Sequence, residues 1–189
     1  MHDRWDQIEE QIKSIAPGDD LEVVKARLCA TVDAARAESL PRTDQLTGLP
    51  GRSHAEAELI RASGQPDDCY LALFVVKRLA LINARFGYGR GDEVLQKVVL
   101  HLVQSLPNFE SLFRWTPCAF ITVAPPDTSY QELCSRIETI ELARLTLTLE
   151  WEGRSDTVPV TMDCRVISLK DCPAPSELFL RLDTLAADT

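Results

Sequence analysis

The chain has 189 residues, 45% hydrophobic and 26% charged, and a formal net charge of -9 from 29 acidic and 20 basic side chains. That length can bury one substantial core with a small appendage. An acidic balance with no Lys/Arg block argues against nucleic acid or an anionic membrane as partner, since both reward concentrated positive charge. A few local donors would still suffice to hold a small nucleotide.

No apolar run reaches the length of a membrane span, and MHDRWDQIEE at the N-terminus lacks a signal-peptide core, so no membrane insertion is expected. The six cysteines, Cys29, Cys69, Cys118, Cys134, Cys164 and Cys172, show neither CxxC spacing nor a secreted framework. Reduced thiols in a cytoplasmic protein are the expectation. His2, His54 and His101 are scattered without metal-ligand spacing, and no metal or other cofactor is expected.

In chain order, Trp5, Ile8, Ile12 and Ile15 follow helical spacing up to Pro17-Gly18. A second stripe, Leu21, Val24, Leu28, Val32 and Ala35, runs towards Pro41. Residues 1–41 therefore read as a helical extension, which either packs back on the remainder or pairs with another subunit. A helix over Arg52 to Ser63 is followed by an apolar run, Cys69 to Val76, bounded by turn residues and best suited to a buried strand. Arg78 to Phe86 reads as a helix, Gly87 to Gly91 as a turn, and Asp92 to Leu106 as a longer helix with Leu95, Val98, Val99 and Leu102 on its core face. Phe109 to Arg114 and Ala119 to Val123 read as strands around a tight connection at Thr116-Pro117-Cys118. Ser129 to Leu142 is helical, and Leu145, Leu147 and Leu149 alternate with polar residues as in a half-buried strand. Val158 to Leu169 is expected to form one last long strand, and Ser176 to Leu185 a final helix. Interspersed strands and helices with hairpins in the second half predict an α/β domain over residues 42–189, with a mixed, mainly antiparallel central sheet covered by helices.

Two blocks carry a specific likeness. DQLTGLPGR, Asp44 to Arg52, is similar to the pattern DxLTGLPNR, and INARFGYGRGDEVL, Ile82 to Leu95, to INDxxGHxxGDxxL. Together, at this separation, they resemble the GGDEF family of diguanylate cyclases, related in fold to class III adenylyl cyclase catalytic domains. Active members condense two GTP molecules into cyclic di-GMP across a head-to-head dimer. The likeness runs from about Asp44 to Asp183 and implies the cyclase fold. It also implies a bacterial protein of cyclic di-GMP signalling.

The family's chemistry needs acids that hold two divalent ions against the phosphate and the attacking hydroxyl. Counted from Gly91-Asp92, the first metal acid falls on Val75 and the following aspartate on Lys77. The signature itself falls on Thr116-Pro117-Cys118-Ala119-Phe120, which puts its catalytic glutamate at Ala119. Val75 and Ala119 have no ligand atoms, Lys77 brings positive charge, and Pro117 adds a ring and removes an N–H where glycine is usual. No cyclase activity is expected and no catalytic residue is assigned.

Asn83 and Asp92 match family positions that hydrogen-bond guanine, whose edge offers both donors and acceptors. On a structural reading the same two residues would fasten a turn and cap a helix. Lys77 and Arg78 are candidates for binding phosphate without a metal. The family's inhibitory RxxD motif corresponds to Pro107-Asn108-Phe109-Glu110, which lacks its arginine. Arg114 is expected to pair with a local acid, and Leu182-Asp183 resembles the family's AD motif. The expected role is a noncatalytic regulatory or scaffold domain working through a protein partner or a homodimer, with a guanine-nucleotide sensor for GTP or GDP as the alternative. Two contact surfaces are candidates: the extension, through Trp5, Ile8, Ile12, Val24 and Leu28, and the altered signature face around Trp115, Pro117 and Phe120, where Trp115 suits a core or hairpin role at least as well as an interface anchor.

Overall fold

The computed structural model of the chain describes residues 43–64, 69–106, 112–143, 145–151, 154–172 and 174–187. The helices expected before Pro41, with Trp5, Ile8, Ile12, Val24 and Leu28, lie outside the described residues.

The described part runs α1 (Arg52–Ser63), β1 (Tyr70–Val76), α2 (Leu79–Phe86), α3 (Tyr88–Ser105), β2 (Leu112–Thr116), β3 (Ala119–Val123), α4 (Tyr130–Leu142), β4 (Leu145–Trp151), β5 (Arg154–Val160), β6 (Met162–Ser168), a short 3-10 turn and α5 (Pro175–Ala187). The four-stranded sheet has the order β2-β3-β1-β6, and each neighbouring pair is antiparallel. β1 lies inside it, which explains why its sequence, YLALFVV, is apolar throughout: six of its seven residues are buried.

Alternation along β1 divides the core in two. Ala72, Phe74 and Val76 face a cluster built with Ile82, Val94, Val98, Leu102, Leu133 and Ile137 from α2, α3 and α4. Leu71, Leu73 and Val75 face a second cluster with Ala55, Leu59, Leu178 and Leu182 from α1 and α5. The sheet is therefore covered on both faces, a mixed α/β domain with an antiparallel centre. Fully burying side chains such as Leu73 and Phe74 contributes about 1.5–3 kcal/mol each.

Three local expectations are corrected. The glycine-rich stretch after Phe86 is not a free turn, because α3 already starts at Tyr88. Gly87 alone makes the reversal, at φ 87°, and its carbonyl accepts the Arg90 N–H at 3.2 Å. The strand around Phe113 continues through Thr116 instead of stopping at Arg114, and a register shift between Arg114 and Thr116 accommodates Trp115. The single strand expected over Val158 to Leu169 is two strands in different sheets. β5 pairs with β4 in a separate two-stranded hairpin, β6 pairs with β1, and Thr161 lies between them, its carbonyl accepting the Lys77 N–H at 2.9 Å.

Candidate functional site

The positions expected to bear the chemistry gather where β1 ends, beside the β2–β3 hairpin. Val75 is opposite Ala119 on one side and opposite Asp163 of β6 on the other. Residues directly opposite in a sheet share a face, so Ala119, Val75 and Asp163 form one row across three strands. Val75 and Ala119 are 2% and 0% exposed and belong to the second core cluster. The one carboxylate of the row is already engaged. Its Oδ2 lies 3.5 Å from Lys77 Nζ and 3.1 Å from an Arg165 nitrogen.

This donor set does not fit the divalent ions of a cyclase. Two of the row's three side chains are aliphatic, and the third, the one carboxylate, is balanced by two cations. Among the described residues no group of three or more His, Cys, Asp or Glu side chains could hold a metal.

The signature hairpin is tied to itself. Pro117 and Cys118 make its turn. The Cys118 N–H donates to Thr116 Oγ1 at 3.4 Å, while the Cys118 carbonyl accepts the Val76 N–H at 2.8 Å. Phe120 is wholly buried opposite Phe74. Arg114 joins this hairpin to the loop before α1. It donates to Asp44 Oδ1 at 2.6 Å and to the Pro117 carbonyl at 2.9 Å. Burial alone would raise the Asp44 carboxyl, but hydrogen bonds from the Thr47 hydroxyl, Arg114 and the Thr47 N–H outweigh it and hold the group below its ordinary range.

Trp115 is not a surface anchor. It is 2% exposed, its indole N–H donates to Asp183 Oδ1 at 2.9 Å, and its ring stands 5.8 Å from that of Phe179. Arg52 lies over the ring at 4.2 Å and grips both Asp183 oxygens at 2.8 Å. The two ends of the family likeness, Arg52 in the first block and Asp183 in the last, thus meet around this indole. That triad was not legible beforehand, although the bulky aromatic beside the signature was a visible signal. Asp163 was missed too, because its place beside Val75 depends on β-register.

The guanine-matching pair lies on adjoining helices. The Asn83 side chain rests against Gly91, where an added Cβ would come within 1.8 Å of Asn83 Oδ1, and that buried oxygen has no hydrogen-bond partner among the described residues. Asp92 is exposed and lies beyond the first turn of α3, so it does not cap that helix. Arg78 sits at the N-terminal boundary of α2 at φ 58°, the one positive-φ non-glycine among the described residues, a conformation that costs about 1–3 kcal/mol. It is exposed, whereas Lys77 Nζ is paired with Asp163.

An antiparallel β2-β3-β1-β6 sheet with helices on both faces is the fold of GGDEF cyclase domains. The family described as "Diguanylate cyclase, GGDEF domain" matches residues 42–186, and the chain belongs to it. The diguanylate cyclase DgcZ of Escherichia coli is 30% identical over 82 residues, covering 42% of this chain and 28% of that protein. The match thus spans under a third of that relative. Among solved structures, the GGDEF domain of DgcB from Caulobacter crescentus in complex with c-di-GMP superposes with a TM-score of 0.66 at 19% identity, covering 77% of this chain and 87% of that one. Diguanylate cyclase SiaD of Pseudomonas aeruginosa, in complex with its activator SiaC, gives 0.66 at 20% identity, covering 99% of this chain and 69% of that one.

Proposed function

We propose that this chain is a noncatalytic GGDEF domain that regulates or scaffolds cyclic di-GMP signalling in the bacterial cytoplasm through protein contact. The observation that carries this reading is the Ala119–Val75–Asp163 row, two aliphatic side chains and a carboxylate held by Lys77 and Arg165. Without acids to hold metal ions, neither the α-phosphate charge nor the ribose hydroxyl is prepared for reaction. The packing does not depend on those acids, so the fold outlives the chemistry. Protein contact is supported by analogy with SiaD, which is bound by its activator SiaC. Trp5, Ile8, Ile12, Val24 and Leu28 remain the proposed contact stripe. Purified protein given GTP with magnesium or manganese should form no cyclic di-GMP, and measurable turnover would refute the proposal.

A second reading, a sensor for GTP or GDP, draws on the unpartnered Asn83 Oδ1 and the exposed Asp92 close by. It requires saturable nucleotide binding in calorimetry that is lost in Asn83→Ala and Asp92→Ala. Heats identical to buffer dilution would remove it.

A further inference from the structure

Away from the signature hairpin, a cavity of about 360 Å³ opens between α2 and β5, lined on the helix side by Arg78, Leu81, Ile82 and Arg85 and on the strand side by Asp156 and Val158. Leu81 and Arg85 stand four residues apart on one face of α2, and Arg78 immediately precedes its first turn. Neither Asn83 nor Asp92 lines the cavity, which separates it from the guanine-matching corner.

Three features suit this groove to a partner segment. Leu81 is 63% exposed at its edge, an apolar side chain left to water. Arg78 makes no ion pair among the described residues, and Arg85 reaches Asp156 loosely at 3.8 Å, with 69% and 56% of the two side chains exposed. Two guanidinium groups against one carboxylate give a local positive site on a chain of net charge -9. The strand side belongs to the separate β4–β5 hairpin, so no ladder with the main sheet ties the groove's two walls together.

We propose that this groove docks an acidic segment of a partner protein, one carboxylate meeting Arg78 and Arg85 while an adjacent apolar side chain covers Leu81 and Val158. Charge complementarity selects that occupant: the forked donors of arginine match a carboxylate, and two guanidinium groups face the groove's single acid. The inference deepens the protein-contact reading and rests on it.

The test is a titration of the full-length, nitrogen-15-labelled protein with the capped peptide Asp-Leu-Glu-Phe-Asp and with its neutral isostere Asn-Leu-Gln-Phe-Asn, followed by amide chemical shifts. Saturable shifts at Arg78, Leu81, Arg85 and Thr157 are expected for the acidic peptide alone. Arg78→Gly, which suits the left-handed backbone, and Arg85→Gln should each weaken binding about fivefold, the equivalent of one lost exposed ion pair. Asp156→Asn, which removes the internal competitor, should tighten it. Absence of saturable shifts, equal binding of the isostere, or indifference to all three variants overturns the proposal. Displacement of the peptide by GDP with shifts at the same amides also overturns it, by assigning the groove to nucleotide phosphates. Cyclase turnover would instead refute the noncatalytic reading, so the two failures are told apart.

Discussion

Val75 and Ala119 are direct partners across β1 and β3, and each has almost no surface left to solvent. The two positions that the family resemblance matches to metal-binding acids are thus cross-strand neighbours and sealed by the side chains of the second core. Restoring one acid should therefore not restore a site. Val75→Asp should destabilise the protein by at least about 2 kcal/mol in urea unfolding, because a carboxylate would enter an apolar seam. Magnesium should not recover the loss. Recovery by magnesium would show that a metal cradle persists beneath the substitutions.

The Arg52–Asp183–Trp115 triad predicts a second effect. Asp183→Ala leaves the buried indole N–H without its acceptor and frees the Arg52 fork. With Arg52 and Asp183 both partly exposed, the ion pair itself counts for little, and the loss should be about 1–3 kcal/mol, mainly from the indole. A change in tryptophan fluorescence should accompany it. Unchanged stability would mean that water replaces the carboxylate without penalty.

Asp44 predicts a pH dependence. Its folded-state carboxyl lies below its ordinary value of 3.8, so the unfolded chain takes up the proton first as acid is added. The contribution of its hydrogen bonds is complete well above pH 4 and is lost as pH falls through the unfolded value towards the folded one. The slope of stability against pH below about pH 5 should be shallower in Asp44→Asn than in the parent. Parallel slopes would remove Asp44 as a source of acid sensitivity.

Gly91→Ala sets two effects of opposite sign against each other. Helix propensity favours alanine by about 1 kcal/mol, but the new Cβ would meet Asn83 Oδ1 at 1.8 Å. The clash should win, giving net destabilisation of about 1–3 kcal/mol. Combining it with Asn83→Ala should recover most of the loss, a coupling that a double-mutant cycle in urea measures directly. Additive effects would mean that Asn83 swings away freely.

Cysteine reactivity offers a probe of packing. Burial first, then the nearby Glu141 and Asp163, push the Cys164 thiol up to about 12. At pH 8 in the native protein it should resist thiol reagents, while Cys118, partly exposed at the hairpin turn, reacts. Modification of Cys164 at a rate equal to that of Cys118 would show that β6 opens readily.

Much of this was written in local pattern. The apolar run from Cys69 to Val76, the two motif blocks and the alternating helix faces identified the layers and the family framework, because periodicity and spacing are properties of a contiguous stretch. Thr161 was harder to read, since a chain that changes sheets keeps its apolar alternation on both sides of the break. Trp115 shows the same limit. A tryptophan next to a surface turn suits an anchor or a core position alike, and the core position here follows from a register shift and from α5, a helix far along the chain.

The sequence by itself determined the family framework and the amphipathic faces that build the two cores. Only the tertiary structure decided that Ala119, Val75 and Asp163 share a row, that Lys77 and Arg165 claim its carboxylate, and that Arg52 and Asp183 close around Trp115. The physical reason is that composition and spacing act within a segment, whereas cross-strand register and charge pairing arise when distant segments are brought together and each buried polar group must find a partner.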